Sequence, residues 1–383
     1  MDTEIHPFRI NIPQSDLDDL QERLARTRWP DQLDNVGWDY GIPLSYVRDL
    51  AEYWRIGYDW RLHERRLNDF AQFTTTIDGQ RVHFLHVRSP EPGALPLVMT
   101  HGWPGSIAEF TEVIGPLTDP AAHAADPADA FHLVAPSIPG FGFSGPTHEP
   151  GWNVHRIATA WDELMTRLGY PRYGAQGGDW GSSISRQLGI IAKEHVIGVH
   201  LNMLFPQGQF DVPDLTEVEK ARLDRLRHFR IAGTGYSSIQ STRPQTLAYA
   251  LTDSPVGQLA WIADKFREWT DGDLPEDAVD RDQMLTNVTL YWLTGTAGSS
   301  ARIYFEAVRS AAWTGQPAPS TVPTGVAVFP FEIAPPIRRF AEQSDNIVHW
   351  SEFDRGGHFA AMEEPDLLVA DIRDFFRPLR SMA

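Results

Sequence analysis

The 383-residue chain has no cysteine. Disulfides, thiolate catalysis and cysteine-ligated metals are therefore excluded. It also lacks any run approaching ~18 consecutive apolar residues, so no membrane-spanning helix is expected. The opening MDTEIHPFRI has neither a basic region nor an apolar stretch, which argues against a secretory leader. Positive charge is scarce: Lys and Arg number 33 against 51 Asp and Glu, a formal charge of -18. A surface for nucleic acid or anionic lipid needs clustered positive charge, so neither partner is expected. With 42% hydrophobic and 22% charged residues the chain reads as an ordinary globular protein of the cytoplasm.

What is present changes along the chain. Residues 1–90 read as a helical leader and a β-hairpin. Ser15 precedes Leu17, Leu20 and Leu24 at helical spacing, with Asp18 at a capping-box position. Pro43 opens a second helix, and Asp78-Gly79 turns between strands Gln72–Ile77 and Arg81–Val87. From 91 to 204 strands alternate with helices: Pro96–Thr100, Phe131–Ala135, a helix over Asn153–Leu168, Arg172–Gly177, a helix from about Gly181, then Val196–Leu201. This rhythm predicts a mostly parallel sheet covered on both faces. Residues 205–321 read as a helical cap. The core resumes over 322–383 with strands at Gly325–Phe329 and Ile347–Trp350 and a closing amphipathic helix after Pro365.

Gly177-Gly178-Asp179-Trp180-Gly181 lies between a strand and a helix. It has the G-x-Nuc-x-G form of a nucleophile elbow, with aspartate in the place of serine. On its own the pentapeptide reads more readily as a glycine-rich turn with Asp179 as a helix cap, and its context reverses that preference. A carboxylate needs no base to become nucleophilic, because it is already ionised at neutral pH. It suits displacement at saturated carbon, leaving an ester that water must then cleave. Gly356-Gly357-His358 follows the last strand and supplies a histidine in the order nucleophile, acid, base that an α/β-hydrolase requires. The acid belongs after the strand Gly325–Phe329, where Glu332 stands; Asp345 and Asp354 flank the final strand and read as solvated loop carboxylates. The loop His101-Gly102-Trp103-Pro104 follows the first parallel strand, so the amides of Trp103 and Trp180 are the expected oxyanion hole. His101 itself reads as a loop brace.

These segments resemble epoxide hydrolases of the microsomal type over nearly the whole chain. Pro7-Phe8-Arg9-Ile10, Leu24–Pro30, Trp54-Arg55 and Tyr58–Arg61 are similar to that family's N-terminal region. The segments His101–Gly105 and Gly177–Gly181 are similar to its oxyanion and nucleophile signatures. The resemblance implies an α/β-hydrolase fold with an N-terminal extension and a helical cap. Gly235–Pro244 and Ser299–Tyr304 are similar to the segments carrying the family's two cap tyrosines, which implies that Tyr236 and Tyr304 protonate the opening epoxide. Unlike the membrane-bound members, the chain shows no apolar anchor, and a soluble member is expected.

The implied substrates are a small hydrophobic epoxide, in keeping with Leu251, Leu259, Trp261, Ile262, Phe266 and Trp292 in the cap, and water. No metal or organic cofactor is expected, and the oligomeric state is left open, a homodimer included. A haloalkane dehalogenase would share the aspartate, the histidine and the following tryptophan, but needs ring N–H donors where the phenols stand. A silent ligand receptor on the same fold is the alternative outside enzymology.

Overall fold

A computed structural model describes residues 4–205, 212–310 and 318–382. The parts of the expected cap at 206–211 and 311–317 lie outside the described residues. The strands are β1 (His6–Phe8), β2 (Gln72–Ile77), β3 (Gln80–Val87), β4 (Leu95–Thr100), β5 (Phe131–Pro136), β6 (Tyr173–Gly177), β7 (Val196–Leu201), β8 (Ser320–Val328) and β9 (Asp345–Glu352). They form one sheet in the order β1-β2-β3-β5-β4-β6-β7-β8-β9. The pairs β1–β2, β2–β3 and β3–β5 are antiparallel, and every pair from β5–β4 to β8–β9 is parallel. The fold is that of an α/β-hydrolase.

The leader contributes α1 (Gln14–Ala25), α2 (Leu44–Ile56) and α3 (Trp60–Asn68). The capping box expected at Ser15 and Asp18 does not form. Pro13, extended at ψ 142°, puts the helix start at Gln14, and Asp18 accepts from the Gln14 side chain instead. Neither β1 nor α3 was expected from the sequence. β1 is only three residues long, and the buried face of α3 includes His63 and Glu64 beside Trp60 and Leu67, which hides its apolar period.

Between the parallel strands run α4 (Thr111–Thr118), α5 (Val154–Arg167) and α6 (Asp179–Ile191). Asn153 caps α5 by accepting from the Arg156 amide. Strand β4 shows why these strands read as continuous apolar runs. Leu97 and Met99 join one core with Ile114 and Leu117 of α4, while Val98 joins another with Trp161 of α5 and Leu188 of α6.

Over the carboxyl ends of the strands lies the cap: α7 (Glu217–His228), α8 (Gly235–Thr242), α9 (Pro244–Asp253), α10 (Pro255–Trp269), α11 (Pro275–Ala278), α12 (Arg281–Thr294), α13 (Ala297–Ser300) and α14 (Arg302–Ala307). Among the described residues no strand falls within it. Proline and caps punctuate it: Ser254 caps α10 with Pro255 in its first turn, and α12 runs from the Asp280 cap to a left-handed Gly295. The leader straps this cap. Tyr46 donates to Glu276, Tyr53 to Asp282 and the Trp54 indole to Thr289, at 2.8–2.9 Å. Leu259, Ile262 and Phe266 are spent on packing the cap. Strand β8 starts at Ser320, five residues before the expected Gly325, because its first residues pair with β9 beside Asp345. Among the described residues no helix is long and apolar enough to cross a membrane.

Candidate active site

Strand β6 ends at Gly177 and α6 begins at Asp179, two residues ahead of the expected start. Asp179 therefore sits on the bend itself, with φ +48°. A non-glycine residue in that region stores ~1–3 kcal/mol of strain. The bend brings α6 against β4: a Cβ on Gly181 would lie 1.8 Å from the Thr100 carbonyl oxygen. Only glycine fits, and so the carboxylate is held at the sheet's carboxyl edge by the first turn of a helix, whose dipole favours its charge.

Asp179 Oδ1 accepts a hydrogen bond from the Trp103 amide at 2.7 Å. Its Oδ2 lies 3.4 Å from His358 Nε2. On the far side of the ring, His358 Nδ1 meets Glu332 Oε1 at 2.7 Å. Glu332 is fully buried after β8; Oε1 also accepts from the Ile333 amide, and Oε2 has no hydrogen-bond partner among the described residues. Burial works against a charged imidazole here. The Glu332 charge and the hydrogen bonds to Asp179 and Glu332 outweigh it, and the His358 pKa stands well above its ordinary value. An imidazolium between two carboxylates is the resting state these distances favour.

The expected oxyanion donors divide. The Trp103 amide makes its bond to Asp179, while Trp180 stands next to Asp179 in the first turn of α6 with its ring edge-on to Tyr304 at 4.8 Å. The two cap tyrosines converge on the same spot. Tyr236 stacks on Trp103 with ring centres 5.0 Å apart, and Tyr304 meets Trp103 edge-on at 5.9 Å and Tyr236 at 5.8 Å. Burial first, with the nearby Asp179 charge adding to it, raises both phenol pKa values. The phenols therefore stay protonated, as hydrogen-bond donors must. The Tyr304 hydroxyl has no hydrogen-bond partner among the described residues.

Other carboxylates do not join. Asp354 is exposed. Asp345 corrects the expectation of a solvated loop residue: it opens β9 with its side chain buried and pairs with Arg186 at 2.6 Å. His101 braces its loop, accepting from the Ile138 amide and bonding the Gly102 carbonyl.

Two neighbours escaped the sequence reading. The Trp269 ring packs 4.9 Å from His358. Glu109 lines a cavity of about 20 Å³ together with Trp103, Gln176, Asp179, Asn202 and His358, room for one water molecule. Burial pushes its carboxyl up to about 8; His358 pulls it down and Asp179 raises it further. Its position in His101-Gly102-Trp103-Pro104-Gly105-Ser106-Ile107-Ala108-Glu109, an acid closing an apolar loop, was the available signal. None of the six apolar cap residues singled out from the sequence lines this cavity. A groove of about 910 Å³ runs between the leader and the start of α10 and does not reach Asp179. Among the described residues no group of three His, Asp or Glu side chains is placed to hold a metal ion.

Residues 5–110 match the family model described as "Epoxide hydrolase N terminus", and residues 96–242 match that of the alpha/beta hydrolase fold. A protein of Stigmatella aurantiaca is 49% identical over 98% of this chain and 86% of its own length. Epoxide hydrolase 1 of Sus scrofa is 36% identical over 98% of this chain and 89% of its own. Among solved structures, the epoxide hydrolase of Aspergillus niger superposes with a TM-score of 0.88 at 33% identity, covering 98% of this chain and 97% of that one. The juvenile hormone epoxide hydrolase of Bombyx mori gives 0.90 at 31%, covering 100% and 96%.

Proposed function

The chain belongs to the epoxide hydrolase family and hydrolyses epoxides, and from that premise we propose how its residues divide the work. Asp179 is the nucleophile. Its Oδ2 attacks an epoxide carbon, the carbon–oxygen bond breaks, and the departing oxygen takes a proton from Tyr236 or Tyr304. The product is a hydroxyalkyl ester on Asp179. Oδ1, already bonded to the Trp103 amide, becomes the ester carbonyl oxygen and so lies in its oxyanion hole from the start, with the Trp180 amide as second donor.

Esterification changes the histidine. It removes the Asp179 charge, one of the causes holding the His358 pKa high, so the imidazolium gives up its proton, which restores the ionised phenol, and becomes a base. The natural seat for a water is the small cavity shared by His358, Glu109 and Asp179. His358, oriented through Nδ1 by Glu332, takes a proton from that water, whose oxygen attacks the ester carbonyl. The tetrahedral intermediate collapses with cleavage of the acyl–oxygen bond, its hydroxyl proton passes to the departing alkoxide, the diol leaves, and Asp179 is regenerated as a carboxylate.

The observation that carries this reading is the strained Asp179, reached at once by an amide, an imidazole and the neighbourhood of two buried phenols. Hydrophobic epoxides are the substrate class we favour, given the aromatic wall of Trp103, Tyr236, Trp269 and Tyr304. We also read the enzyme as soluble and cytoplasmic, from its cysteine-free, acidic composition.

A panel of aromatic and aliphatic epoxides should yield diols, and haloalkanes should yield no halide. Replacing both Tyr236 and Tyr304 by Phe should slow ester formation by ~10²–10⁴-fold. Rapid ester formation by the double variant would refute the acid assignment.

A further inference from the structure

The loop that carries His358 is held from the cap as well as from the sheet. The His358 amide donates to the carbonyl of Trp269, the last residue of α10, at 2.9 Å. The Gly356 amide donates to Asp271 Oδ2 at 3.0 Å. Glu363, in the short helix Ala360–Glu363, completes the junction with both of its oxygens. Oε1 accepts from the Phe359 amide of the histidine loop at 2.9 Å, and Oε2 accepts from the Asp271 amide of the cap at 3.0 Å.

The seam is also tight. The Phe359 ring lies flat on Phe266 of α10, 4.2 Å apart and 2° from parallel. A Cβ on Gly357 would stand 2.5 Å from the Trp269 carbonyl oxygen and 3.1 Å from Glu363 Oε2. No side chain fits there, which lets the loop run directly beneath the end of α10.

We propose that Glu363 is a positioning residue for His358, splicing the cap's α10 end to the histidine loop so that the imidazole meets the water of the second half-reaction at the right distance. The proposal rests on the reading of His358 as the base. Glu332 fixes the ring's tautomer through its hydrogen bond to Nδ1 and Trp269 packs against the ring, but where Nε2 stands also depends on the backbone that carries it. The backbone from Gly356 to Phe359 decides where Nε2 points, and the amides of Gly356, His358 and Phe359 bond to cap residues or to Glu363. The two oxygens of Glu363 offer acceptors to both sides of this seam, where an amide side chain offers one. Burial, helped by the Glu332 charge and opposed by the two amides and the charge on His358, leaves the Glu363 carboxyl pushed up to about 7. Ester formation needs Asp179 and the phenols and should be indifferent to Glu363. Ester hydrolysis needs Nε2 placed to a fraction of an ångström.

The test is single-turnover kinetics on styrene oxide with enzyme in excess, quenched and read as ester-bearing Asp179 peptide by mass. Glu363→Gln keeps the size but only one accepting oxygen, and Glu363→Ala keeps neither. Ester formation should stay within about twofold of the parent. Hydrolysis should slow about 10-fold in the Gln variant and about 100-fold in the Ala variant, so ester accumulates and KM falls with kcat. His358→Gln, run alongside, sets the floor of an ester that does not decay. Equal slowing of both steps would show a merely structural role, and unchanged hydrolysis in Glu363→Gln would show none; either overturns the proposal. If Glu363→Ala does not fold, the near-isosteric Gln variant decides. An ester that decays at the parent rate in His358→Gln would instead overturn the reading of the base, whatever the Glu363 variants do.

Discussion

Of the histidine–carboxylate clusters among the described residues, the one around His358 has the makings of an active site and the one around Asp371 does not. At the sheet's carboxyl edge His358 bridges Glu332 and Asp179. Elsewhere Asp371, on the closing helix Pro365–Phe376, bonds His200 of β7 at 2.9 Å and His349 of β9 at 2.7 Å, and accepts from the Ser351 hydroxyl. By residue type the second cluster is the more suggestive, holding serine, histidine and aspartate within bonding distance. Its Asp371 oxygens are taken by three donors, and none of its four residues has a left-handed backbone. Its buried His200 Nδ1, which has no hydrogen-bond partner among the described residues, belongs to a residue bordering none of the cavities described above. The first cluster keeps a strained carboxylate, an oxygen of Glu332 without a hydrogen-bond partner among the described residues, and a cavity for water. Unfinished bonding beside a cavity separates chemistry from scaffolding more reliably than residue type does.

The sharpest way to break this contrast is to delete one acid from each cluster. Asp179→Ala should lower kcat by about 10⁴-fold or more while the melting temperature stays within a few degrees of the parent. A variant that loses its fold instead would erase the distinction. Next, His358→Gln should cut steady-state turnover by a comparable factor but leave the first half-reaction running, so one equivalent of ester appears per enzyme. A variant without that burst would contradict the division of labour.

Asp371→Asn should do the opposite. Leaving His200 and His349 facing an amide should cost ~3–5 kcal/mol of stability by chemical denaturation, with kcat per folded molecule within about twofold. A large fall in kcat without loss of stability would make the second cluster functional. The smallest effect is its pH dependence. Burial opposes charge on Asp371, yet its three donors hold the carboxyl below the usual range, while Asp371 raises His349. The Asp371 contribution is thus present above pH ~4 and lost as pH falls through its folded value; that of His349 is full below ~6.5 and lost as pH rises through its own. The stability gap between parent and Asp371→Asn should be widest near pH ~5 and narrow on both sides. A flat gap would mean that charge is not what joins the closing helix to the sheet.

The same contrast explains what could be read from the sequence. Asp179 and His358 stand in glycine-flanked motifs at strand ends, because a bend that tight and a loop that close to α10 leave room for nothing else. Glu332 was found from its place after a strand, and the structure sets it against His358. Strands β4, β5 and β7 showed as largely apolar segments because both of their faces are covered, and β6 showed by its place before the turn at Asp179. Tyr236 and Tyr304 carry no local mark and came only through the family resemblance. Glu109, Trp269, Asp271 and Glu363 were missed because their work is done through backbone amides, ring contacts and a shared cavity between segments far apart in the chain. The Asp371 cluster was illegible for the same reason, its four members being scattered over two strands and a helix.

The central claim is that the substrate is esterified to Asp179 before water acts. A single turnover in heavy-oxygen water, with enzyme in excess, tests it by mass analysis of both products. The account predicts one heavy oxygen in the peptide carrying Asp179 and none in the first-formed diol. Heavy oxygen in that diol, with Asp179 unlabelled, would mean that water opens the epoxide directly and would contradict the account.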